Sequence, residues 1–416
     1  MRFLRIILFL LICLTCAAQS APAARPKVRA ITAFITIDRN NYQQRVGDAV
    51  TMLKQTKAAF EKEGYEVQTV RITTQPFPEY VRGLARPQAL AFLQVFDKLI
   101  AEQPQRAGIA VDANLGPAML RDEDDAGMAD LLAEALCTTK IVNASLIVAA
   151  DDGIHWKAVR AAAHVIKYAS EHSPHSQATF NFAATAMLAP YAPFYPGSYH
   201  TGAGHQFAIG MEGANVVEQA FAASGGDPER ARTALTAALT EHARVAERVG
   251  QQIEKQTGWK YLGFDPTPAP LKDVSIGAAI EKFTGAKFGA AGTLLAASII
   301  TQAVKAVPVK QTGYAGLMLP VLEDARLAER WSERTYNMDS LLAYSAVCGT
   351  GLDTIPLPGD VSEPQLARII GDVAALAFKW HKPLTARLQP VMGKKAGERS
   401  DFDDPFLVNA VLQPLP

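Results

Sequence analysis

Two apolar periods alternate along the first half of the chain. Residues 28–37 form a run rich in β-branched side chains, which predicts a strand. Residues 44–62 place Val46, Val50, Leu53 and Phe60 near helical spacing, and Gly64 stands where that helix has to end. The same alternation predicts strands over 65–73, 108–113, 141–150 and 178–186, with helices over 88–102, 128–137 and 155–171 between them. Strand after helix after strand points to an α/β fold. The second half is more helical. Asp227 as N-cap with Pro228 at the first helical position opens a helix to about residue 255. Ser362, Pro364 and Gln365 form a capping-box pattern for a helix to about residue 379. Strands are expected again over 259–264, 314–321 and 383–391. No Ser/Gly linker, low-complexity run or internal repeat divides the sequence, so residues 24–416 read as one domain.

The N-terminus changes the picture of where the protein works. Arg2 and Arg5 precede an apolar run over 6–16, followed by Ala17, Ala18, Ala21, Pro22 and Ala23. That order reads as a secretory signal peptide over residues 1–23, and hence as export to a periplasmic or extracellular space. The run falls short of the roughly 20 apolar residues needed to cross a bilayer. The later apolar stretch over 290–307 carries Thr293, Ser298, Thr301, Gln302 and Lys305 and reads as a buried helix. No membrane span is expected once the signal is removed. Taking Arg2 and Arg5 from the 41 basic residues leaves 39 against 41 acidic ones, a net charge of −2. A nucleic-acid partner is therefore not expected, since such proteins carry a basic patch; an anionic small molecule stays open. Cys137 and Cys348 remain after signal removal, too few for a disulfide scaffold.

Three segments carry candidate chemistry. Over 179–212 lie Asn181, Tyr195, Tyr199, His200, His205 and Glu212, with prolines and glycines breaking regular structure from Pro190 onward. A long aromatic loop of this kind is often functional. Its His200, His205 and Glu212 suit acid–base work or a metal, although their spacing matches no compact metal motif. Over 344–360, Cys348 enters a Gly349-Thr350-Gly351 turn followed by Asp353 and Asp360. The glycines would let backbone approach a ligand, and Cys348 would be a nucleophile if a base stood beside it. Thr354 occupies the place of the third glycine of a dinucleotide loop, so that cofactor is not expected. Over 382–397, alternation puts Thr385, Arg387 and Gln389 on one strand face, and in a barrel interior Arg387 would anchor an anion. Arg71 and the pair Glu323–Asp324 are weaker candidates. No nucleophile elbow, zinc helix or Walker loop is present, and no motif names a cofactor or a metal.

These segments together resemble the uncharacterised domain-of-unknown-function 711 family. The resemblance rests on the order of VRAITAFI, GYEVQTVRITT, NFAATAML, PFYPGSYHTGAGHQFAIGMEGANVVE, FGAAGTLLAA, TGYAGLMLPVLEDARLAER, VCGTGLDTIPLPGD and KPLTARLQPVMGKKAG. It implies an α/β barrel of the pyruvate formate-lyase type, two half-sheets surrounded by helices around a central site. It supplies no reaction or catalytic residues. A glycyl radical is not implied, because Arg248-Val249-Gly250 departs from the radical segment and lies in a predicted helix.

Three functions fit. The first is an enzyme acting on a small polar or anionic metabolite in a central pocket. There His200, Cys348, Asp353 and Glu212 would be catalytic, and Asn181, His205, Arg387, Gly349, Gly351 and Asp360 would bind ligand. The second is an exported small-molecule-binding protein without catalysis. The third is a homo-oligomeric interaction protein with Tyr195 and Tyr199 at its interface.

Overall fold

A computed structural model describes residues 25–415. The expected signal peptide, with Cys13 and Cys16, lies outside the described residues. Among those described, the strands are β1 (Lys27–Ile35), β2 (Val67–Pro76), β3 (Asp112–Gly116), β4 (Val142–Ala150), β5 (Gly153–Ile154), β6 (Phe182–Ala186), β7 (Gln206–Glu212), β8 (Lys260–Ala269), β9 (Gly351–Pro358) and β10 (Leu384–Val391). They form one ten-stranded sheet in the order β8-β7-β1-β2-β3-β4-β6-β10-β9, with β5 on the flank of β4.

Strands β1, β2, β3, β4 and β6 run parallel, while β7–β8 on one side and β9–β10 on the other run the opposite way. The joint between the two halves is narrow: β3 meets β4 at two positions, Ala113↔Val142 and Asn114↔Asn143. This is a mixed α/β sheet of two halves, and its hydrogen bonding does not close. Segment 311–324 occupies the interval between the edges, through single bridges Phe264↔Gln311 on β8 and Pro320↔Asp353 on β9.

Both faces of the sheet are covered, which is why β1 and β10 read as near-continuous buried runs. Helices flank the outside. Tyr42–Lys62 buries Val46, Ala49, Val50, Leu53 and Phe60 against the sheet. Helix Pro228–Thr257 starts as expected, with the Asp227 carboxylate accepting from the Arg230 amide at 2.8 Å. At helix Glu363–Trp380 the Ser362 and Gln365 side chains and amides pair reciprocally. Among the described residues no helix is long and apolar enough to cross a membrane.

Two irregular segments lie against the inner face. Residues 187–205 are tied to the first three strands: Thr32 Oγ1 donates to Pro193 O at 2.8 Å, Tyr195 Oη to Ile72 O at 2.6 Å, and Asn114 Nδ2 to Ser198 O at 2.6 Å. The other segment, 311–324, had been expected to include a strand over 314–321. Its amides are taken elsewhere: Tyr314 N donates to Asp265 Oδ2 (2.8 Å), Gly316 N to Thr267 Oγ1 (3.1 Å) and Leu317 N to Thr301 Oγ1 (3.1 Å). The two segments meet in a small apolar cluster of Leu188, Ala192, Phe194, Ala269, Tyr314 and Met318. Gly197 allows the approach, since a Cβ there would stand 2.5 Å from the Tyr314 hydroxyl and 2.9 Å from Thr185 Cγ2.

Candidate functional site

A cavity of about 190 Å³ remains between the half-sheets. One buried arginine reaches it from each of three strands, Arg29 on β1, Arg71 on β2 and Arg387 on β10. In each case the arginine stands between two apolar residues: Val28 and Ala30, Val70 and Ile72, Ala386 and Leu388. The strand pleat sends the charged side chain to the interior while its neighbours pack outward. Asp112, Glu323, Asp353 and Asp404 supply the acidic lining, with Lys140 beside them, and Phe180, Phe194, Tyr195, Met318 and Phe406 supply apolar wall.

Two of the arginines are already paired. Glu323 accepts from Arg29 Nη2 at 3.1 Å and from Arg387 Nη1 at 2.7 Å, so one carboxylate joins the two half-sheets. Arg387 also reaches Asp353 at 3.4 Å and donates from Nε to Phe180 O at 2.9 Å. Its guanidinium lies 4.0 Å from the Phe180 ring centroid. Burial pushes the Asp353 carboxyl up to about 6, against the pull of Arg387 and with the help of the Glu323 charge.

Arg71 is different. It is 7 % exposed, it makes no side-chain hydrogen bond among the described residues, and its Nε is buried without a partner. The nearest carboxylate, Asp112, stands 4.0 Å away, beyond hydrogen-bond reach. The guanidinium lies 4.6 Å from the centre of the Tyr195 ring. Burial, with the neighbouring Arg29 charge, lowers its pKa to about 10, so it stays a cation at neutral pH. Asp112 has 45 % of its side chain exposed and is one of the residues that line the cavity. Burial raises its pKa, against the opposing charges of Arg71 and Arg29.

The structure brings together some of the residues picked out from sequence and separates others. Asn181, Asp353 and Arg387 all line the cavity, as do the weaker candidates Arg71 and Glu323. Arg387, read as the anion anchor, is committed to Glu323 and Asp353, and the unengaged guanidinium is that of Arg71. His200 is outside the lining: it is fully buried, its Nε2 donates to Ile35 O at 2.8 Å, and burial lowers its pKa, leaving a neutral ring. His205 is an exposed residue stacked on Trp259 with ring centroids 4.3 Å apart.

Cys348 is also packed in the core away from the cavity, and Cys137 and Cys348 are both free thiols. Lys382, whose pKa burial lowers, donates to the carbonyls of Ser345 and Cys348. Glu212 lies behind the lining, paired with Gln68, whose Oε1 accepts from Arg29 Nη1 at 3.4 Å. Gly349 and Gly351 serve backbone packing: a Cβ at Gly349 would sit 2.6 Å from Gly316 Cα, and Gly351 has φ +88°. The residue of that turn that lines the cavity is Thr350. Asp360 is exposed beyond the end of β9. Tyr195 faces inward into the cavity, and Tyr199 is buried with its hydroxyl on Leu188 O at 2.8 Å. Gly250 sits inside helix Pro228–Thr257 against the Tyr261 ring and is not among the residues that line the cavity.

Arg29, Asp112 and Asp404 were not singled out from sequence. The signal for Arg29 was available, because VRAITAFI, QTVRITT and TARLQPV each carry one arginine inside an apolar strand. Asp112 starts its strand and Asp404 lies in an irregular tail, so neither has a pattern that points inward. Among the described residues no group of three or more His, Cys, Asp or Glu side chains is arranged to hold a metal ion.

A family model matches the chain over residues 22–403. The chain belongs to the family described as Uncharacterised ACR (DUF711). It is 30 % identical over 400 residues to a UPF0210 protein of Pyrobaculum arsenaticum, covering 93 % of this chain and 86 % of that one. With a UPF0210 protein of Pyrobaculum aerophilum it shares 32 % identity over 397 residues, covering 89 % and 86 %. Among solved structures, the anaerobic ribonucleotide reductase of Thermotoga maritima in complex with dATP and CTP is similar at a TM-score of 0.42 and 9 % identity, over 92 % of this chain and 79 % of that one.

The ion-pair network gives a stability prediction. Glu323→Gln removes the one charge that Arg29 and Arg387 share and leaves both cations buried, so the expected loss is about 3–5 kcal/mol. Urea unfolding followed by circular dichroism measures it. A loss under about 1 kcal/mol, the scale of an exposed ion pair, would show that water in the cavity already screens the network.

Proposed function

We propose that the cavity is the active site of an enzyme for a small anionic metabolite, with Arg71 as the anion anchor and Asp353 as the acid–base group. The observation that carries this reading is Arg71 itself, a cation aimed into a cavity with its Nε buried and unpartnered. An unsatisfied charged donor in a buried setting is costly, and a site that binds an anion is where that cost is tolerated. Glu323 holds Arg29 and Arg387, so these shape the wall and the ligand meets Arg71. Asp353, with a carboxyl titrating at about 6, can hold or release a proton near neutral pH. Asn181, Thr350 and Thr385 line the same space and offer uncharged polar contacts.

Binding without catalysis is the alternative, and it differs only in the role of Asp353. Residues 24–416 are taken as one functional unit, because the cavity lining runs from Arg29 to Phe406. Export remains part of the proposal on the strength of the charged, apolar and small-residue order at the N-terminus.

Two tests follow. Arg71→Met removes the anchor and the unpaired donor together. The variant is expected to melt at or above the wild-type temperature and to lose the thermal stabilisation that wild type gains from a panel of small carboxylates and phosphate. Loss of binding through a lower melting temperature would instead mean that Arg71 is structural. The second test concerns the proton. In D2O, wild type is expected to exchange carbon-bound hydrogens of a bound carboxylate, at a rate that rises with pH and levels off above about pH 6. The rise follows because the ionised carboxylate is the base and Asp353 loses its proton at about 6. Asp353→Asn should bind the same ligand and exchange nothing; exchange undiminished in that variant would remove Asp353 from the chemistry.

A further inference from the structure

The charges that face the cavity are evenly matched once the internal pairs are removed. Glu323, Arg29, Arg387 and Asp353 satisfy one another through contacts of 2.7–3.4 Å. Asp404, nearer the tail, accepts from Gln177 Nε2 at 3.0 Å and from the Phe406 amide at 2.8 Å. Lys140, which also lines the cavity, is an exposed residue; what is left on the adjacent strands β2 and β3 is Arg71 and Asp112. They are 4.0 Å apart, so they attract without hydrogen-bonding each other. Asp112, like Arg71, makes no side-chain hydrogen bond among the described residues, and both line the cavity.

A ligand carrying only negative charge would satisfy Arg71 and crowd Asp112, since a carboxylate beside a carboxylate disfavours both ionised forms. A ligand carrying only positive charge would meet the converse. A ligand with one of each satisfies both unfilled groups and leaves the net charge of the enclosed site unchanged. The 4.0 Å spacing sets how far apart those two ligand groups can be: they have to be near neighbours. The cavity volume of about 190 Å³ and the walls of Phe194, Tyr195, Met318 and Phe406 restrict the remainder to a small, largely apolar group.

We infer that the ligand class is a small zwitterion of the α-amino-acid type, its carboxylate on Arg71 and its ammonium on Asp112. This deepens the reading of the cavity as a small-molecule site and depends on it. The carboxylate would take the orphaned Nε–H and a neighbouring guanidinium N–H, the bidentate arrangement that arginine favours. The ammonium would donate to the open carboxylate of Asp112, with the Tyr195 ring closing over the guanidinium from the side.

The test is a thermal-shift and calorimetric screen of the full chain against the common L-amino acids. Each is compared with its N-acetyl derivative, the amine lacking the carboxylate, and the carboxylic acid lacking the ammonium. At least one small amino acid is expected to bind, with each of its three truncated or blocked relatives weaker by tenfold or more. Asp112→Asn should weaken the zwitterion by about tenfold, one lost charge-assisted contact, and leave the ammonium-free acid bound as well as or better than in wild type. Arg71→Met should abolish both. Binding of ammonium-free acids or phosphate with no amino acid binding would overturn the zwitterion while leaving the anionic-metabolite reading in place. So would an Asp112→Asn variant that binds the amino acid undiminished. If none of these probes binds folded wild-type protein, the small-molecule reading falls with it.

Discussion

One carboxylate holds the interior together. Glu323 sits on the irregular segment between the edges of the sheet and accepts from an arginine of each half, Arg29 and Arg387. Without it, the Arg29 guanidinium, 7 % exposed, would lose its carboxylate partner, and Arg387, 6 % exposed, would keep only Asp353 at 3.4 Å. Burying ions is expensive, and their attraction offsets the cost only where geometry is good and the remaining donors are used. Here they are used: Arg29 also reaches Gln68, and Arg387 reaches Asp353 and a main-chain carbonyl. A purely apolar packing of the same space would be a simpler way to gain stability. An ionic interior makes sense when the polar surface around it has work to do.

The rest of the architecture supports that surface. The narrow β3–β4 joint and the unclosed edges leave a space between half-sheets that side chains alone do not fill. Residues 187–205 fill part of it, pinned by Thr32, Asn114 and Tyr195. Asp265 holds the second segment, accepting from the Thr267 amide and hydroxyl and the Tyr314 and Ala315 amides while burial pushes its carboxyl up to about 6. The cavity is what these two segments leave over, and Arg71 is the arginine in it that makes no side-chain hydrogen bond among the described residues.

Much of the fold was legible in the order of apolar runs, because a sheet covered on both faces demands uninterrupted hydrophobic strands. The strands that escaped have local reasons. β7 contains Gly210 and ends in Glu212, and β9 carries Pro356 and Pro358, tolerable because it is an edge strand. Part of the run over 178–186 is a 3₁₀ turn, Pro174–Asn181, and only Phe182–Ala186 pairs. The site was legible where a charge interrupts a strand, as at Arg387 and Arg71. It was not legible where residue type alone suggested chemistry. His200 and Cys348 carry reactive groups, yet one is held by a main-chain carbonyl and the other packs in the core. Which arginine is left unpaired depends on sheet order and on a contact between residues 323 and 29, separations that no local pattern encodes.

The most direct test of the central claim needs no knowledge of the natural ligand. Crystals of the full chain soaked in sodium bromide would be measured at the bromine absorption edge. The account predicts an anomalous peak inside the cavity, in contact with the Arg71 guanidinium and absent from Arg29 and Arg387, which Glu323 and Asp353 already pair. A cavity free of bromide, with Arg71 turned into a hydrogen-bonded pair with Asp112, would contradict it.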